Sequence, residues 1–78
     1  MDMLYELWDT VTANLTGEYP TEEDALAALY RTVEKAGPDA LAGYALMRDD
    51  GVHDPVLIAA DTALADLALR QHAPALTR

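Results

Sequence analysis

Two histidines, a trio of aspartates and one carboxylate pair are the residues of this chain whose types could do chemistry. His53 and His72 are too far apart in sequence to form a local metal-binding pair. Either could serve as a general base only with an orienting partner, which the sequence alone does not show. His72 falls near a helix end, where a cation is favoured in any case. Asp49, Asp50 and Asp54 surround Gly51 and raise the question of a calcium loop. Their spacing departs from the EF-hand pattern, and no glutamate follows at the bidentate position, so a solvated turn is expected. Asp9 and Glu18 could face each other across a hairpin as a carboxylate dyad, but the simplest register places them on opposite faces. The chain has no cysteine and no serine, which removes disulfides, thiolate sites and the common nucleophiles. Gly17, Gly37, Gly43 and Gly51 are isolated, so no phosphate-cradling loop exists. No catalytic, cofactor or metal residue is assigned, and the chain is read as non-enzymatic.

The best-defined element that could position anything is a helix from Thr21 to Gly37. Thr21 supplies an N-cap oxygen, and Asp24 stands three residues on, where a capping box would prefer Glu or Gln. Glu22, Glu23 and Asp24 meet the positive end of the helix dipole, while Lys35 sits near the negative end. Gly37 suits a left-handed C′ position, and Pro38 prevents continuation. Leu26, Leu29, Tyr30, Val33 and Ala36 recur at spacings of three and four, an apolar stripe made to cover a sheet.

Before this helix, alternation over Met3–Val11 predicts a strand with Met3, Tyr5, Leu7 and Val11 on one side. Leu4, Glu6, Trp8 and Thr10 take the other. Thr12, Ala13 and Asn14 form a turn, with Asn14 as the left-handed residue, and Leu15–Tyr19 returns as a second strand closed by Pro20. After it, the reading gives a strand within Ala40–Arg48, with Tyr44, Leu46 and Arg48 opposite Ala45 and Met47. Asp49-Asp50-Gly51 is a turn. Pro55 opens Val56–Ala59, a strand apolar on both faces and therefore buried on both sides or placed at an interface. Asp61, or else Thr62, caps a second helix whose stripe is Leu64, Leu67, Ala68 and Gln71. Asp66 and Arg70 pair on its outer side. Leu69 lies off the stripe and is a candidate for contact with another chain. Pro74 stops the helix.

The order β-β-α-β-β-α implies an α+β fold, a four-stranded antiparallel sheet with two helices packed on one face. Residues 1–73 form the single domain and 74–78 a frayed tail. A shared Ala-Leu-Ala-x-Leu segment, at Ala25 and at Ala63, raises a ββα repeat over 3–37 and 40–73. If helices cover one face only, Leu4 and Trp8 are left on the wet one as an aromatic anchor of the interface type. A one-residue slip in register would instead bury Trp8 in the core.

Seventy-eight residues lie near the lower limit for a self-sufficient core, so self-association would help. Fourteen acidic against five basic residues give a formal charge of −9. That disfavours direct nucleic-acid binding, and the five cations, scattered at Arg31, Lys35, Arg48, Arg70 and Arg78, form no basic stripe. No apolar run approaches a membrane span, and the acidic start carries no signal-peptide pattern, so a cytoplasmic bacterial protein is expected.

Tyr5-Glu6-Leu7-Trp8-Asp9, the Asn14 turn and Thr21-Glu22-Glu23-Asp24-Ala25-Leu26 resemble a group of short, uncharacterised bacterial proteins. These share an "LWD" strand, a "TEEEAL"-type helix start and a closing apolar strand and helix. The resemblance implies a fold and no activity. A more distant likeness is to the HicB-type antitoxin domain, where a hairpin also leads into a Thr/Glu-Glu-Ala-Leu helix. Two functions follow as expectations. The first is a protein–protein interaction or accessory module that forms a homodimer through a sheet face or edge, with Leu4, Trp8 and Leu69 as interface residues. The alternative is an acidic inhibitor or antitoxin-like protein that covers the basic, nucleic-acid-binding surface of a protein partner.

Overall fold

A computed structural model describes residues 3–72, with the side chain of His72 outside the description. The elements are β1 (Leu4–Asp9), β2 (Asn14–Tyr19), α1 (Glu22–Ala36), a 3-10 turn (Pro38–Leu41), β3 (Tyr44–Asp49), β4 (Val56–Ala60) and α2 (Asp61–His72). The four strands form one antiparallel sheet in the order β2-β1-β3-β4, an α+β fold of the expected element order. The order reads alike from either edge when the two ββα halves are exchanged. The proposed frayed tail, 74–78, falls outside the described residues.

Local chemistry builds α1 as its sequence demands. Thr21 Oγ1 accepts from the Asp24 N–H at 3.0 Å, and Gly37 N–H donates to the Val33 carbonyl at 2.7 Å. Gly37 ends the helix at φ 89°, ψ 165°, an extended glycine conformation instead of the left-handed one expected. Ala25, Leu26, Leu29 and Val33 are buried, whereas Ala36 is exposed. The stripe thus sits one position earlier than its large side chains suggest.

The core forms where α1 and α2 meet the sheet. Leu7 and Leu46, directly opposite each other on β1 and β3, join Leu26, Leu29, Leu64, Ala65 and Ala68 in one buried cluster. The strand expected within Ala40–Arg48 spans Tyr44–Asp49, and Leu41 ahead of it closes the 3-10 turn and fills the same core. On α2 the buried residues are Leu64, Ala65 and Ala68, while Gln71 is exposed. Both helices lie on the Leu7–Leu46 side.

Three local features differ from expectation. Ala13, not Asn14, takes positive φ (59°) at the first hairpin, and Asn14 already pairs with Asp9. β4 is an edge strand with Val56 and Leu57 exposed, so it is not buried on both sides. Asp61 stands at φ 54°, and its Oδ1 accepts from the Gly43 N–H at 2.6 Å. Gly43 in turn offers its carbonyl to both Thr10 N–H and Thr10 Oγ1 at 2.7 Å. Three elements, the end of β1, the start of β3 and the start of α2, are tied at that one glycine.

Candidate interaction surface

The face of the sheet away from the helices is organised in two rows that run across the strands. Pairing sets Leu15, Trp8, Ala45 and Ala60 side by side from β2 to β4. It sets Glu18, Glu6, Met47 and Leu57 side by side in the row next to it. Leu4 and Asp49 form a partial third row on β1 and β3. Alternation along each strand dictates this sorting, because residues two apart point the same way. The bulges in β2 and β4 shift the edge residues, so the match at the edges depends on them. Thr16, the extra residue of β2, is anchored by its Oγ1 on the Leu7 carbonyl at 3.1 Å.

The first row is wholly apolar. Ala45 is only 6% exposed, yet it lies outside the core cluster, on this second face. Its small side chain leaves a shallow groove of about 400 Å³ lined by Trp8, Glu6, Met47 and Pro55 among others. Leu15 and Leu57 at the two edges keep 42% and 55% of their surface in water. Both helices pack on the opposite face, and Thr10, Ala13 and Pro55 from the connecting loops rim the groove.

The second row is divided by charge. Glu6 and Glu18 stand directly opposite each other on neighbouring strands, an arrangement that repels. The Trp8 indole donates to Glu6 Oε1 at 3.2 Å, a neutral donor that leaves both charges uncompensated. Among the described cations, Arg31 and Lys35 lie on α1 and Arg70 on α2, while Arg48 pairs with Tyr5 and Val56 on the helix side of the sheet. None of the four shares a face with Glu6 and Glu18.

The expected residues divide between two surfaces. Leu4 and Trp8 are half-buried on the helix-free face, whereas Leu69 is half-buried against the core beside Leu67. Leu69 therefore lies on the helix side of the sheet and is not part of the Trp8 surface. Asp9 and Glu18 are not brought together. Asp9 Oδ1 instead accepts the N–H groups of Val11 and Thr12 at 3.0 and 3.3 Å, closing the hairpin turn.

The aspartate loop is likewise spent on its own backbone. Asp49 Oδ1 accepts from Gly51 N–H, and Asp50 Oδ1 accepts from Val52 and His53 N–H, each at 2.8 Å. Asp50 Oδ2 meets His53 Nδ1 at 2.9 Å. The hydrogen bond with His53 holds the Asp50 carboxyl well below the usual range and raises the His53 imidazole above its own. Among the described residues, no three His, Asp or Glu side chains converge as metal ligands do.

No family model, curated protein or solved structure matches the chain. The functional reading therefore rests on its own surface. No described helix is long and apolar enough to cross a membrane.

The row that surrounds Trp8 was the part hidden from sequence reasoning. Alternation did place Ala45 and Met47 together. It could not show that β3 lies beside β1, which brings them to Trp8, nor that Glu18 meets Glu6 in place of Asp9.

Proposed function

We propose that this chain is a non-catalytic protein-interaction module whose docking surface is the helix-free face of the sheet, centred on Trp8. One observation carries the reading: the apolar row Leu15–Trp8–Ala45–Ala60, with its shallow groove, lies on the face opposite both helices. A sheet normally buries its apolar faces against another layer, and this one has a layer on one side only. Aromatic residues beside small ones in a shallow groove are the usual anchors of protein interfaces.

Two occupants fit an interaction module of this size. A second copy would make a homodimer and supply the extra burial that a chain of 78 residues needs. A basic protein surface would make the chain an acidic inhibitor or antitoxin-like partner, a reading favoured by the Glu6–Glu18 pair. In either case Trp8 serves binding and not the fold.

Substitution of Trp8 by Ala separates these roles. A tryptophan needed by the core costs about 3–5 kcal/mol when truncated. Trp8→Ala is expected to cost well under half of that in urea melts, with unchanged circular dichroism. A loss of core size would assign Trp8 to the fold and overturn the reading.

A further inference from the structure

The Glu6–Glu18 pair and the groove beside it together define what kind of partner the face would hold. Resting on the docking role of this face, we infer that its occupant is a basic amphipathic helix of another protein, with an apolar stripe over Trp8, Ala45 and Met47 and a Lys or Arg over Glu6 and Glu18.

Width comes first. Neighbouring strands are about 4.8 Å apart, so β1 and β3 with half a strand either side offer about 10 Å, the breadth of one helix. Ala45 lies between the larger Trp8 and Met47 and forms the low point into which such a stripe settles. Leu57 continues the apolar surface on the β4 side. On the β2 side the surface ends in Glu18 and Glu6.

Charge then chooses between occupants. A second copy laid on this face would bring further carboxylates, Glu6, Glu18 and Asp49, toward their own kind, with no Lys or Arg among the described residues on the face to meet them. Covering a carboxylate without a partner is costly, because the charge loses water and gains nothing. A lysine or arginine placed at the β1–β2 side removes that cost and also relieves the existing repulsion between the two strands. The net charge of −9 would steer such a partner toward the chain, and salt would slow it.

The test uses the full chain and a synthetic amphipathic helix of leucine and lysine, titrated while Trp8 emission and heat are followed. Its counterpart with glutamate for lysine is the control. Binding at one to one with a blue shift of Trp8 is expected, and none with the control peptide. Glu6→Gln with Glu18→Gln should weaken binding about tenfold, equivalent to about 1.4 kcal/mol. Glu23→Gln with Glu34→Gln removes the same charge from α1 and should change it less than about twofold, or about 0.4 kcal/mol. Equal weakening by both pairs would reduce the effect to bulk charge and overturn the inference. So would the absence of binding, or light scattering that shows a native dimer dissociated by Trp8→Ala. That last result would leave the docking role of the face intact and give it to a second copy.

Discussion

Gly43 is the position where one added methyl group should be most informative. Alanine there meets two obstacles. Its φ of +84° disfavours any residue with a Cβ, by about 1–2 kcal/mol. The new Cβ would also lie 3.2 Å from Val11 Cγ2. Val11 is 82% exposed and can turn away, but a branched side chain leaving its preferred rotamer loses about 0.5–1 kcal/mol. The backbone cannot relax to lessen either term, because hydrogen bonds to Thr10 and Asp61 hold Gly43 on both sides. Gly51 provides the comparison. Its φ of +81° is nearly the same, nothing lies within 4 Å of its would-be Cβ, and its loop is exposed. We expect Gly43→Ala to cost about 2 kcal/mol and Gly51→Ala about 1 or less. At roughly 4–8 °C per kcal/mol for a domain of this size, the first should lower Tm by about 8–16 °C. Urea melts followed by circular dichroism, at one pH and salt, would measure both. Losses within about 0.5 kcal/mol of each other would refute the argument that the Gly43 tie holds three elements together.

Three other outcomes are expected. Leu46→Ala removes a fully buried side chain at the centre of the sheet and should cost about 2–5 kcal/mol in a chemical melt, a large part of the about 4–12 kcal/mol available to such a chain. Thr21→Ala deletes the oxygen that caps α1 and should cost about 1 kcal/mol, whereas Thr21→Asp should retain most of it; the same melts rank them. His53 should titrate above the ordinary histidine value in a proton NMR pH series, and Asp50→Ala should return it. Because the folded pKa of His53 is raised, its contribution to stability is full below the unfolded value and disappears as pH rises through the folded one. For Asp50, whose folded pKa is lowered, the contribution is present above the unfolded value and disappears as pH falls through the folded one.

Much of the fold was legible because the signals for it are short. Thr21, the acidic first turn and Gly37-Pro38 set the limits of α1 through contacts among residues a few positions apart. Alternation sorted Tyr5 and Leu7 from Leu4, Glu6 and Trp8, and the observed pairing keeps that division. The misreadings have equally local causes. Ala25 and Ala65 give only a weak periodic signal because their side chains are small, yet both are buried in the core. Leu69 lies off the helix stripe, yet α2 presents a wider face to the core and packs part of this side chain against it. Asp61 looked like an ordinary cap, and only the approach of Gly43 gave its carboxylate another donor.

By itself, then, the sequence determined the type and order of the elements, the two-sidedness of β1 and the negative charge of the chain. These depend on residue chemistry and on spacings within a turn or a strand. Tertiary structure alone decided that β1 lies between β2 and β3, so that Trp8 gains Leu15 on one side and Ala45 on the other. It also decided that Glu6 faces Glu18. The second follows from the Thr16 bulge in the hairpin, and the first from the register in which Leu7 meets Leu46 over the two helices. That register comes from burying a common core between segments far apart in the chain, and no short stretch of sequence encodes it.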